Sequence, residues 1–145
     1  MQDILLGLQD ELHKTILFIT HDLDEALRIG DNIAILRDGA IVQKGSPQEI
    51  ILNPADEYVS DFIKDINRGR VVEVGSVMDG AKIKVGPKVD KYMVVDDALQ
   101  VLSNAGTNSA IVTEHDKPVG SVGLDKLISS VARPRVGEAR SVNYR

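Results

Sequence analysis

The sequence predicts an α/β chain of two small units, and three observations carry that reading. A short, wholly apolar and partly β-branched run, Thr15 to Thr20, follows a segment of helical spacing, as when a helix leads into a parallel strand covered on both faces. Two acid- or serine-led capping boxes then open further helices. Finally, the charge changes sign along the chain. Residues 1–66 hold 5 Lys/Arg against 13 Asp/Glu, whereas residues 67–145 hold 12 against 9, as two units with different surfaces would.

The elements follow in order. Residues 2–13 place Ile4, Leu5, Leu8 and Leu12 at helical spacing, with Gln9, Asp10 and Glu11 opposite. The run 15–20 is the expected covered strand. Asp22 stands three residues before Glu25, which predicts a capped helix through Leu23, Ala26, Leu27 and Ile29, ended by Gly30. Asn32 to Arg37 and Ala40 to Lys44 read as strands joined by an Asp38-Gly39 hairpin turn. Ser46-Pro47-Gln48-Glu49 is a capping box with proline at the first helical position, and Asn53-Pro54 stops that helix. A further helix runs through Tyr58, Val59, Phe62, Ile63 and Ile66.

Asn67-Arg68-Gly69-Arg70 reads as a linker. Beyond it the expectation is a short strand near Val71 to Val74, a turn at Met78 and strand-like Lys82 to Val85. Asp96 and Asp97 are expected to cap a helix through Ala98, Leu99, Leu102 and Ala105, which Gly106 ends. Ser109 to Thr113 and Val119 to Val122 read as strands about a turn at residues 114–118. Leu124, Leu127, Ile128 and Val131 mark a last helix, and residues 133–145 form a basic, polar and loose tail.

Composition narrows the function classes. Apolar residues make up 43% and charged residues 27%, as in soluble globular chains. With 3% aromatic residues and no Trp, the core must be built from Ile, Leu, Val and Ala. The absence of cysteine excludes disulfides, thiolate metal sites and cysteine nucleophiles, and fits a cytosolic location. No apolar run approaches the roughly 20 residues that cross a bilayer. Asp3 and Asp10 interrupt the pattern of a signal peptide, so a membrane role is expected only through a partner. Scarce aromatics and net acidity argue against nucleic-acid binding.

The sharpest chemical signal is Ile19-Thr20-His21-Asp22-Leu23-Asp24-Glu25-Ala26. A histidine at the carboxyl end of a covered parallel strand sits where open α/β sheets bind ligands. This segment resembles the switch region of ABC-transporter ATPases, in which a strand ends in Thr-His-Asp before an acidic-capped helix. Arg28 to Pro47 is similar to the family's following run of strand, Gly turn, strand and Gly-[Ser/Thr]-Pro helix start. Asn53-Pro54-Ala55 and the helix ending near Ile66 are similar to the end of the importer-type ATPase domain.

The resemblance implies residues 1–66 as the C-terminal part of a P-loop ABC ATPase domain, with its parallel strand, hairpin and helices. It implies His21 as the catalytic residue that contacts the γ-phosphate of ATP, by positioning and charge stabilisation. Mg²⁺ would be bound by residues absent from this chain, which carries no metal site of its own. No glycine begins a G-x-x-x-x-G-K-[ST] loop, and there is no Leu-Ser-Gly-Gly-Gln signature. Gly7 and Gln9 break the apolar run that would have to precede a catalytic Asp-Glu pair at Asp10-Glu11. The chain is therefore not expected to hydrolyse ATP by itself.

Residues 71–132 resemble a CBS domain, a small α/β unit, through Val77-Met78, the Asp96-Asp97-Ala98-Leu99 helix start, Ala110 to Thr113 and Pro118 to Leu127. The family holds adenine nucleotides with Gly-x-x-[Ser/Thr]-x-x-Asp, so Gly120 and Asp125 are the candidate nucleotide residues. Gly123 stands where the hydroxyl is expected, which removes a hydrogen bond worth about 0.5–1.5 kcal/mol. Asp125 comes one residue early.

An importer-type ATPase domain followed by CBS sequence is similar to the ATP-binding subunits of quaternary-amine (glycine betaine/proline type) ABC importers. That implies a membrane permease, a second ATPase subunit in a homodimer, an external substrate-binding protein, a peripheral place on the cytoplasmic face of the plasma membrane, and regulation by osmotic or ionic conditions. The rival expectation is a free-standing CBS module that binds adenine nucleotides without catalysis. The basic excess after residue 67 also raises anionic lipid as a partner, against an ordinary solvated surface.

Overall fold

The computed structural model describes Ile4, Gly7, Leu8, residues 11–80 and residues 83–132. Leu5, Gln9, Asp10 and Lys82 and the tail 133–145, named above, lie outside the described residues. Ile4, Gly7, Leu8, Glu11 and Leu12 are helical, in keeping with the leucine spacing.

Helix α1 spans Leu23–Ile29. The Asp22 side chain accepts from the Glu25 amide at 3.2 Å, and the Gly30 amide donates to Ala26 O at the other end. Strands β1 (Ile33–Arg37) and β2 (Ala40–Gly45) form an antiparallel hairpin. Asp38 (φ 51°) and Gly39 (φ 79°) both take the left-handed conformation that a tight hairpin turn demands. Ile33 and Ile35 point into the core, and a bulge after Ile35 sets Leu36 opposite Ile41, both exposed. Gln43 pins the hairpin to the next loop: its Nε2 donates to Asn53 O at 3.0 Å and its Oε1 accepts from Ala55 N at 2.8 Å.

Helix α2 (Pro47–Leu52) carries the complete capping box, with Ser46 Oγ accepting from Glu49 N and a Glu49 carboxylate oxygen accepting from Ser46 N at 2.8 Å. It buries Ile50 and Ile51 completely. Asp56 caps α3 (Glu57–Phe62) at 2.8 Å from Val59 N, and Val59 and Ile63 enter the core.

Two short 3₁₀ turns, Arg68–Arg70 and Val74–Ser76, lead into strand β3 (Lys88–Asp90). Helix α4 (Val95–Ala105), strands β4 (Ser109–Glu114) and β5 (Lys117–Gly123) and helix α5 (Leu124–Val131) complete the chain. The sheet order is β3-β4-β5, with β3 parallel to β4 and β4 antiparallel to β5. The crossover from β3 to β4 runs through α4, whose Val95, Ala98 and Leu102 are buried at helical spacing. Gly106 closes α4 in the left-handed conformation. One apolar cluster joins Leu27, Ile35, Ile50, Ile51, Val59 and Ile63 to Val72, Val74, Val89, Leu102, Val112 and Leu127.

The mixed α/β architecture agrees with the sequence, but four local expectations are overturned. Residues 15–20 form no strand: Leu17 and Ile19 are 89% exposed, and Ile16 and Phe18 are 45% and 42% exposed. A parallel strand exists only beside neighbours that complete its ladder. The five described strands pair among themselves in a hairpin and a three-stranded sheet, and none pairs with this run.

Residues 71–74 contribute a single bridge, Glu73 to Val94, rather than a strand. Ile83 to Val85 is bent backbone with Val85 90% exposed, and the strand begins five residues later at Lys88. Asp96 and Asp97 do not cap α4. Val94 holds the cap position, and the two acids lie in the first turn, where they favour the positive end of the helix dipole.

Candidate functional site

His21 lies in a bend between the irregular run 13–20 and α1, and it is exposed. It does not stand at the end of a covered strand. The residues on either side of it are nevertheless fixed. Thr20 Oγ1 accepts from the Asp22 amide at 3.0 Å and donates to Glu25 Oε2 at 2.8 Å, while Asp22 Oδ1 accepts from the Glu25 amide at 3.2 Å. Three side chains thus brace the backbone through the histidine while its ring faces solvent. An imidazole so placed is free to donate to an incoming phosphate oxygen. Asp24 and Glu25 both lie in the first turn of α1, where the helix dipole favours them; Asp24 is solvated, whereas Glu25 is half-buried and engaged by Thr20.

The second candidate pair, Gly120 and Asp125, is not brought together as a phosphate cradle. Gly120 is buried on β5, where a Cβ would lie 2.5 Å from Asp79 O and 3.0 Å from Met78 Sδ. The close approach that glycine permits is therefore taken up by the chain's own backbone. Asp79 and Ser121 exchange amide-to-carbonyl bonds of 2.8 and 3.0 Å, and Ser121 Oγ donates to Gly80 O at 3.2 Å. Asp125 is exposed in the first turn of α5 and folds back toward Gly123.

Two groupings were not foreseen from the sequence. Glu114 Oε1 accepts from Tyr92 Oη at 2.9 Å and from Lys91 Nζ at 3.1 Å. The hydrogen bond from Tyr92, and then that from Lys91, hold the Glu114 carboxyl below its ordinary range, and Glu114 in turn raises Lys91. Burial pushes the nearby Glu73 carboxyl up, against the pull of Lys91. Glu114 lies 23 and 22 residues from Lys91 and Tyr92 and shares no motif with them, so the β3–β4 register is what brings them together. The other grouping is centred on Gln48, whose side chain reaches residues 71–76; the capping box announces its position but not its contacts.

Among the described residues, no group of three or more His, Asp or Glu side chains converges to hold a metal ion. Among the same residues, no helix is long and apolar enough to cross a membrane.

No protein-family model matches the chain. Curated relatives do. The glycine betaine/carnitine transport ATP-binding protein of Listeria monocytogenes is 42% identical over 149 aligned residues, covering 100% of this chain and 36% of that protein. The glycine betaine transport ATP-binding protein of Bacillus subtilis is 46% identical, covering 81% of this chain and 27% of that protein. The glycine betaine/proline betaine transport ATP-binding protein of Salmonella typhimurium is 35% identical, covering 99% and 36%. The chain thus spans about a third of the length of the curated relatives it matches. Among solved structures, a CBS domain of a bacterial CNNM/CorC family Mg²⁺ transporter in complex with ATP aligns at 19% identity over 90% of this chain and 72% of that one. The TM-score of that alignment is 0.30.

Proposed function

We infer that this chain, a relative of the ATP-binding subunits of quaternary-amine transport systems, is the C-terminal part of such a subunit and couples ATP hydrolysis to import of an osmoprotectant amine. The observation that carries the reading is a match of 42% identity along the whole chain, which includes the braced Thr20-His21-Asp22 turn. ATP, when bound, supplies the phosphoryl group whose transfer drives transport. His21 is the residue of this chain that donates to its terminal phosphate. Thr20, Asp22 and Glu25 hold the backbone that presents it.

Remaining nucleotide contacts, including those to Mg²⁺, belong to parts of the relatives that this chain does not span. On this reading the partners are a permease, a second ATPase subunit and an external substrate-binding protein, and the subunit sits on the cytoplasmic face of the membrane. Residues 71–132, whose strand-helix-strand-strand-helix order carries the CBS-like residues on β4, β5 and α5, form the regulatory unit.

The test is ATP turnover of a full-length subunit bearing His21→Ala. Loss of one positioned donor to a transferring phosphate lowers turnover by about 10²-fold or more, with ATP affinity little changed. Turnover near that of the unsubstituted subunit would overturn the assignment of His21.

A further inference from the structure

We propose that Gln48 is the coupling residue through which the C-terminal unit controls the placement of helix α2 and the hairpin behind it. The inference deepens the regulatory part of the reading above and rests on its division of the chain near residues 67–70.

One side-chain amide spans that division three times. Gln48 Nε2 donates to Val71 O at 2.8 Å, while its Oε1 accepts from Glu73 N at 3.0 Å and from Ser76 Oγ at 3.2 Å. Both polar ends of the amide are thereby paired with groups 23 to 28 residues away.

What Gln48 grips is a strap fixed to the C-terminal unit. Val95 N donates to Val72 O at 2.9 Å, Val74 N to Met93 O at 2.9 Å and Gly75 N to Lys91 O at 2.8 Å. Gly69 is buried, with the Asp96 carboxylate of α4 lying over it. The strap therefore moves with β3 and α4. Ile50 and Ile51 share one apolar cluster with Val72 and Val74, and such burial is non-directional. The two-ended Gln48 amide, bonded to two backbone groups and the Ser76 hydroxyl, adds a directional link that sets register. From α2 the chain of contacts continues through the Asn53–Ala55 loop to Gln43 and the β1–β2 hairpin.

Hydrogen exchange on the full 145-residue chain tests this. Val122→Ala opens a cavity in the C-terminal sheet, where Val122 is 1% exposed. In the Gln48 background it raises exchange of the β1–β2 ladder amides about tenfold or more, because the hairpin opens together with the rest. In the Gln48→Met background, which keeps the length but removes all three bonds, the hairpin opens on its own, and the same cavity changes its exchange by less than about twofold. An equal response in both backgrounds, or no response with Gln48 present, overturns the proposal. If Gln48→Met fails to fold, Gln48→Glu takes its place, since it loses the donor to Val71 O while keeping an acceptor oxygen. A diminished response there supports the coupling, and an undiminished one overturns it. None of these outcomes depends on His21, so failure here and failure of the transport reading are separable.

Discussion

Lys126 Nζ and Asp79 Oδ1 form a 2.6 Å ion pair across 47 residues of sequence, tying the first turn of α5 to the segment bridged to Ser121. Both side chains remain partly exposed, at 45% and 33%. Solvent screening at that exposure keeps such a pair within about 1 kcal/mol. Lys126→Ala is expected to lower the urea-unfolding free energy by less than that, and the difference should shrink as salt is added.

Gly120→Ala should cost more than loss of the ion pair. The added methyl would meet the Asp79 carbonyl oxygen at 2.5 Å, and backbone held by a two-way bridge cannot swing aside as a side chain would. The expected loss is about 1–3 kcal/mol, the usual range for overpacking, and denaturant titration measures it. A cost near zero would mean that the Met78–Asp79 segment is not seated as described.

The carboxylates around Lys91 give the pH profile two opposed limbs. Glu73, raised by burial, binds its proton more tightly when folded, so stability grows as pH falls through that raised value toward the ordinary glutamate range. Glu114, lowered by the Tyr92 hydroxyl and then by Lys91, contributes stability above the ordinary range, and this is lost as pH falls through the lowered value. Lys91, raised mainly by its hydrogen bond to Glu114, contributes below the ordinary lysine range and is lost as pH rises through its raised value. Titration from neutral into acid should show a rise and then a fall. Glu73→Gln should abolish the rise, and Glu114→Gln should blunt the fall.

Ser46→Ala removes one half of the α2 capping box and leaves the Glu49 amide without its side-chain acceptor. A loss of about 1 kcal/mol is expected in thermal or urea unfolding. Asn at the same position should recover most of it, because its side-chain oxygen serves equally as a cap.

How much of this was legible in the sequence depended on whether the determinants were local. The hairpin at Asp38-Gly39, the caps at Asp22 and Ser46 and the stop at Gly106 were all readable, because each is decided within a few residues by turn or cap chemistry. The strand at 15–20 was misread because an apolar β-branched run states only a preference, while a strand also needs neighbours to bond. The same holds for 71–74, where the Val71 and Val72 amides turn back to Arg68 O and the Glu73 amide goes to Gln48, leaving only Val74 to reach Met93 O. At the candidate site, His21 was found through its neighbours in sequence, but its exposure was not. Gly120 was noticed for a motif, whereas its packing against Asp79, 41 residues away, could come only from the fold.

The bare run at Ile16 to Ile19 also has a practical side. Its side chains are open to solvent and its backbone belongs to no helix or strand, so an endopeptidase selecting Leu or Phe has ready access there. Brief digestion should cut beside Leu17 or Phe18 well before it touches α4 or the β4–β5 hairpin. The surviving piece, starting near His21, would be the natural choice for crystallisation trials.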